Sequence, residues 1–541
     1  MSSRRATKPP PRAPTRRSTK SSLKGIQRAA PRRPPRARRP RRERVTFAER
    51  FFASASGLRS SLRKVPTAAW ICALVAFLNA ACWSLITPPF QITDEPDHVA
   101  YVQSLVETGR LPAKGAPAEF TAEDIYALND LRQGLVRFKP QFQEISSKAE
   151  QVRLEHDLAR PLPHGEPVNA GLAAEEPPLY YALETIPYQL ASAGTLLDRI
   201  ELMRLLSAAM AAIAALFTFL FVRETLPAAR RTWVVGGLAV ALVPLLAAIA
   251  GGVNPESMLA AVCAVLFYLL ARAFRRGFTS NIAIAIGVLS AVGLLTKVNF
   301  VGFAPGLLVG LALLTVRAAR VDRRAAVGAL ATALSIACSP AIVYVLLNAL
   351  AGRPVLGVLS TALNSQRGPL GRELSYIWEL YLPRLPGMHS YFPGILTARQ
   401  LWFNGFVGLY GWVDTTFPAW VYALALAPAA ILVTLCASTL ISARVLIGAR
   451  AAELVTYGTL AVGLMGLVGA DSYTSESYSG TGPYYEPRYF LPLLPLFGLA
   501  LALAARGAGR RRLPAVGVLI VVLFLAQDAF SQLQTIARYY G

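Results

Sequence analysis

Eleven apolar runs, each about long enough to span a bilayer as a helix, constrain this chain more than any other feature. They lie near 68–88, 203–222, 233–250, 256–272, 281–296, 298–316, 325–350, 418–441, 451–470, 488–505 and 514–531. In lipid, a helix satisfies every backbone polar group within its own segment, so repeated runs of this length predict repeated crossings. Composition agrees: 54% of residues are hydrophobic, 16% are charged and the mean hydropathy is +0.42, too apolar for an ordinary soluble enzyme. The expectation is an all-α, polytopic transmembrane protein of about eleven spans with large extracytoplasmic loops and interfacial helices.

The formal charge of +24 points first toward nucleic acid, and its distribution points away again. Residues 1–66 hold 21 basic and 2 acidic side chains, which leaves only +5 for the remaining 475 residues. Nucleic acid is therefore excluded as the partner of the main body. The tail is rich in Arg, Pro, Ser and Lys and is expected to be a disordered, basic, cytoplasmic segment near anionic lipid. It is too long to be the basic start of a cleavable signal, so the first run reads as a retained anchor. Cys72, Cys82, Cys263, Cys338 and Cys436 all sit in apolar runs without metal-ligand spacing, which removes a disulfide framework and a zinc site.

Residues 178–197 are ambiguous, because Glu184, Pro187 and Gln189 interrupt an apolar pattern. Charge decides. With this segment lying on the membrane surface, the basic loops at Arg223/Arg230/Arg231, Arg272/Arg275/Arg276, Arg317/Arg320/Arg323/Arg324, Arg444/Arg450 and Arg506/Arg510/Arg511/Arg512 all face the cytoplasm. If it spans, all five flip. The expected organisation is then a tail (1–66), a transmembrane domain (67–531) with external segments at 89–202, 351–417 and 471–487, and a short external C-terminal tail (532–541).

Those external segments hold the candidate chemistry. Asp94-Glu95-Pro96-Asp97-His98 follows the first span. Acidic residues there suit a helix start, yet three carboxylates and a histidine at an apolar boundary are costly unless used or paired. On a helix Asp94, Asp97 and His98 share a face, a set that a divalent metal could use; no cofactor is certain. Asn254-Pro255-Glu256 forms a second outer acidic turn, readily explained for Asn254 as a helix start. Lys297, Arg488 and Arg204 depart from the cytoplasmic arginine clusters and could meet a lipid phosphate, with snorkelling as the plain alternative. Trp402, Tyr410, Trp412, Asp414 and Trp420 gather where the chain returns to the membrane. Trp420 suits an interfacial belt, while Trp412 and Asp414, set among glycines, suit sugar stacking and hydrogen bonding.

The basic start, single span, outer Asp-Glu, Pro177-Pro178-Leu179-Tyr180-Tyr181 helix and Arg204-Leu205-Leu206-Ser207 stretch resemble the GT-C superfamily of membrane glycosyltransferases. More narrowly, Asp94-Glu95-Pro96-Asp97-His98, Gly411-Trp412-Val413-Asp414 and Arg488-Tyr489-Phe490-Leu491-Pro492 look like an uncharacterised bacterial membrane family with a domain of unknown function. The resemblance covers about residues 68–531. It implies a bacterial plasma-membrane enzyme that moves a sugar, with inversion, from a polyprenyl-phosphate carrier to a cell-envelope acceptor. Asp94 would be the base and Glu95 its orienting neighbour, with Arg488, Lys297 and Arg204 on the donor phosphate. Asp97, His98, Glu256, Trp412, Asp414 and Tyr485 would bind acceptor or sugar. Glu176 departs from the pattern, since related enzymes often carry His or Lys just before the Pro-Pro-Leu stretch.

Two other classes compete. A transporter or flippase would place ionisable or broken-helix sites near mid-membrane, and Lys297 is the residue that favours it. A noncatalytic scaffold fits all but the cost of the carboxylate cluster.

Overall fold

The computed structural model describes residues 64–141, 146–160, 168–350, 370–388, 390–392, 399–474 and 486–540. The expected tail and Tyr485 lie outside these residues.

All eleven apolar runs are helical. Nine helices among the described residues are long and apolar enough to cross a membrane by themselves: Thr67–Ile86, Leu196–Thr225, Pro255–Arg276, Val298–Ala319, Arg323–Leu347, Ala419–Ser442, Ala451–Thr474, Pro487–Gly507 and Gly509–Tyr540. A tenth candidate is broken: Arg230–Ala241 and Pro244–Ala250 meet at a 50° bend. Pro244 explains the break, because it has no N–H and forces Val243 into extended backbone (φ −70°, ψ 112°). The eleventh, Ser280–Thr296, has 17 residues and ends at Lys297, whose backbone is extended (φ −156°, ψ 141°) before a 3₁₀ turn leads into the next span.

Leu196–Thr225 packs against Thr67–Ile86, Arg230–Ala241 and Pro255–Arg276, and this group forms the inner bundle. In the most apolar window of Pro255–Arg276, 78% of residues are buried within the protein; in Arg323–Leu347 and Ala419–Ser442 the share is 6%. The latter two therefore present their apolar surface outward, as lipid-facing helices do.

Residues 178–197 do not form a span. The helix there is Leu179–Leu190, 12 residues and about 18 Å long, well short of the roughly 30 Å hydrocarbon core. It buries Tyr180, Tyr181, Glu184 and Tyr188 and exposes Ile186 and Leu190. The rest of the first long loop folds onto it through Glu95–Gln103, Ala122–Asp130 and Lys148–Leu158, the last two opened by capping boxes at Thr121/Asp124 and Ser147/Glu150. Two antiparallel two-residue strand pairs, Ala118–Glu119 with Asn169–Ala170 and Leu409–Tyr410 with Thr415–Thr416, clip loop segments together.

One boundary differs from expectation. The last helix continues to Tyr540 instead of giving way to a tail after residue 531, because Asp528, Ser531, Thr535, Arg538 and Tyr539 carry its buried face onward.

Helix contacts depend on small residues, as expected where lipid supplies no hydrophobic drive for association. A Cβ on Gly306 would meet the backbone of Leu460, with its Cα at 2.6 Å. Gly306→Ala is therefore expected to separate Val298–Ala319 from Ala451–Thr474 and cost about 1–3 kcal/mol, read as a lowered thermal midpoint in detergent.

Candidate functional site

The site begins with a forced turn. After Pro88 and Pro89, Phe90 (φ 67°) and Asp94 (φ 62°) both adopt left-handed backbone that non-glycine residues seldom occupy. What holds them is Arg204. Its guanidinium is fully buried and donates Nε to Glu95 Oε1 (2.8 Å) and Nη2 to Glu95 Oε2 (2.7 Å). The remaining donors go to the carbonyls of Ser84 (2.9 Å), Thr87 (2.8 Å) and Pro88 (3.1 Å). Glu95 in turn accepts from the backbone N–H of Phe90 (2.8 Å) and Val253 (3.0 Å). One ion pair thus ties the end of the first span, the helix Glu95–Gln103 and the 251–254 turn together. Close approach at that turn requires glycine, since a Cβ on Gly252 would strike Ile92 at 2.6 Å.

With the turn fixed, Asp94 stands at the start of Glu95–Gln103 without capping it, and its carboxylate meets Arg488 Nη2 at 2.6 Å. Arg488 also meets Glu486 (2.8 Å) and lies 3.7 Å from Glu256. Glu256 faces Lys297 at 3.1 Å, and Lys297 meets Glu176 at 2.7 Å. Glu176 further accepts from Val298 N–H at 3.1 Å, which fixes the helix break that presents Lys297. Asn254 caps the next helix, accepting from Glu256 N–H (3.0 Å) and donating to the Thr93 carbonyl (3.3 Å).

Of these groups Asp94, Glu176 and Lys297 line a cavity of about 120 Å³, together with Asp97, His98, Asn299, Asp471 and Tyr489 and with Leu172 and Ala173. A smaller one of about 30 Å³ is walled by Arg488, Glu486 and apolar side chains such as Ile92, Leu245 and Val413. Burial pulls the Asp94 carboxyl upward, but Arg488, His98 and Lys297 outweigh it and hold it below the usual carboxylate range. Burial and the neighbouring Asp94 charge push Asp97 up to about 7, against the field of Arg137. Burial lowers His98 to about 4, so it is neutral at pH 7, and its Nδ1 lies 2.9 Å from the Tyr181 hydroxyl. The result is an ionised acid, a titratable acid and a neutral imidazole within five residues, a pattern suited to proton handling.

The structure thus gathers Asp94, Asp97, His98, Glu256, Lys297 and Arg488. It takes Arg204 and Glu95 away from the cavity and into each other. Asp94, Asp97 and His98 do not converge as a metal set: Asp94 turns to Arg488 and His98 to Tyr181, and no group of three suitable ligands occurs among the described residues. Trp412 and Asp414 are buried and engaged elsewhere. Trp412 Nε1 donates to the Phe90 carbonyl (2.9 Å), and Asp414 accepts from Phe138 N–H (3.1 Å) and pairs with Arg538 (3.2 Å). Trp420 is 67% exposed, in keeping with an interfacial belt. Glu176, Glu486 and Asp471 were not among the sequence candidates. Glu486 had a signal, as the residue two before Arg488 in the same motif; Asp471, at the end of an apolar run, had little.

Two outcomes follow. Removing one partner of the Glu95–Arg204 pair (Glu95→Ala or Arg204→Ala) is expected to cost about 3–5 kcal/mol, with Glu95→Gln/Arg204→Met recovering part of the thermal stability. For Asp97, the folded state keeps its proton up to about 7 while the unfolded chain releases it near 3.8. Its contribution to stability therefore falls as pH rises through that window. Asp97→Asn should remove this part of the fall between about pH 4 and 7, matching wild type below the window and exceeding its stability above it.

No curated protein matches the chain. A family model does, across residues 77–497, from within the first span to beyond Arg488, and the chain belongs to that family of predicted membrane proteins, DUF2142.

Proposed function

We propose that this chain is a GT-C-type glycosyltransferase of the bacterial plasma membrane, with its N-terminus cytoplasmic and its site outside. It would move a sugar from a polyprenyl-phosphate carrier to a hydroxyl of a cell-envelope glycan, lipid or protein. The observation that carries this reading is Asp94 on the wall of a polar cavity, with its carboxylate 2.6 Å from Arg488. Such a pair supplies a carboxylate to take a proton and fixed positive charge where a phosphate departs.

In this reaction the acceptor O–H gives its proton to Asp94 while its oxygen attacks the anomeric carbon from the face opposite the phosphate. The bond from that carbon to the phosphate oxygen breaks, and the electron pair leaves with the lipid phosphate. Arg488 keeps Asp94 ionised and so ready to accept the proton. Lys297, held by Glu176 and Glu256, adds positive charge from the other side of the cavity. Asp97 and His98 border the same space and are suited to hydrogen-bond sugar hydroxyls, as is Glu256 through Lys297.

A second reading, a transporter or flippase, is favoured by one observation: the broken span at residues 242–243 with its 50° bend. Transfer of labelled sugar from polyprenyl-phosphate donors in membranes separates the two. Wild type is expected to transfer, and Asp94→Asn to lose about 10²–10⁴-fold in kcat while folding and donor binding survive. Equal transfer by both would remove Asp94 as base. Donor or lipid flux without transfer by wild type would replace the enzyme with the transporter.

A further inference from the structure

The cations described above already face carboxylates. Lys297 meets Glu176 and Glu256, Arg488 meets Asp94 and Glu486, and Arg204 is held by Glu95. A phosphate arriving at any of them would have to displace an acid. Arg137 is different. It is exposed, and among the described residues its guanidinium makes no ion pair. It lies over the Trp412 ring, 4.6 Å from the centroid, and over Phe138 at 5.0 Å. Stacking on an aromatic face fixes the guanidinium plane while leaving its N–H edge free.

The loop that carries Arg137 is held on two sides. Phe138 adopts φ 62° and donates its N–H to Asp414 at 3.1 Å. Arg538 donates to the carbonyls of Val136 (3.3 Å), Lys139 (2.9 Å) and Pro140 (2.9 Å). Beneath, the Trp412 indole donates to the Phe90 carbonyl and the Thr93 hydroxyl to the Gly411 carbonyl, so the shelf is bonded to the turn that ends at Asp94. The field of Arg137 reaches Asp97, which lines the cavity.

We propose that Arg137, on its Trp412 shelf beside the turn that presents Asp94, is a phosphate-binding residue that takes the phosphate of a lipid-linked ligand. A guanidinium edge matches two phosphate oxygens in a bidentate contact, and a preorganised side chain loses little freedom in making it. The identity of that ligand rests on the transferase reading. The anion site itself does not.

The test is binding of a polyprenyl monophosphate to the full chain in nanodiscs of neutral lipid, for wild type, Arg137→Gln and Arg137→Lys, with the uncharged polyprenol as second probe. Arg137→Gln is expected to weaken phosphate binding by about tenfold and leave polyprenol binding unchanged. Arg137→Lys should recover only part, because an ammonium lacks the fork. Equal phosphate affinity in wild type and Arg137→Gln, or no phosphate binding by wild type, overturns the proposal. Competition by phosphatidylglycerol and by inorganic phosphate distinguishes the sources. Competition that is lost with Arg137→Gln supports a site for headgroups or free phosphate, and a loss confined to the polyprenyl ligand supports a site for the carrier. No sugar moves in this assay, so a wild type that binds but transfers nothing defeats the transferase reading alone. Transfer with an insensitive Arg137→Gln defeats the phosphate site alone.

Discussion

The end of the molecule that carries the site depends on one fully buried ion pair, Arg204 with Glu95. Taking a guanidinium and a carboxylate out of water is expensive unless every donor and lone pair finds a partner. Here the pair does more than neutralise itself. The guanidinium collects three carbonyls at the end of the first span, and the carboxylate collects two backbone N–H groups. One of those carbonyls, that of Ser84, lies in the last turn of the span, where a terminating helix leaves carbonyls without partners, and the other two lie just past its end. The pair is therefore a cap for the first span and a brace for the strained turn that presents Asp94.

From that brace the charges form a chain across elements: Asp94 to Arg488, Arg488 toward Glu256, Glu256 to Lys297, Lys297 to Glu176. Alternating signs let each charge in an apolar setting offset the desolvation of the next. Burial raises Asp97 and Glu486 to about 7, and neighbouring acids add to it, Asp94 beside Asp97 and Asp94 with Glu256 beside Glu486, where Arg488 opposes them. Carboxylates that repel each other in a buried space hold protons longer.

The spans were legible in the sequence because apolar length is a local property: each of the eleven runs became helical, although the run at 233–250, read as one span, is broken before Pro244. At residues 178–197 Glu184 and Pro187 left the pattern ambiguous, and the placement of the basic loops led to the reading of a short non-spanning helix, which is Leu179–Leu190. Within the site, Asp94, Lys297 and Arg488 stood out as charges at apolar boundaries, and one chain of ion pairs through Glu256 does connect them. Their partners were harder to see. Glu176 and Lys297 are 121 residues apart, and nothing local says that one fixes the other. Arg204 and Glu95 looked like members of the same site as Asp94, yet tertiary packing spends them on each other. Trp412, read as a sugar platform, is occupied by Arg137 and Phe138 for the same reason: pairing across the fold is a property of the folded chain.

The Asp94–Arg488 contact joins residues that are 394 positions apart. That separation sets an order of events during membrane insertion. Asp94 enters the membrane boundary with the first span, while its counter-charge is carried by a span near the end of the sequence. Until that late segment arrives, the acid has no guanidinium to hold its proton off, and the cavity has no wall on that side. Assembly itself thus acts as a safeguard, because a half-inserted chain carries the acid without the environment that would set its charge.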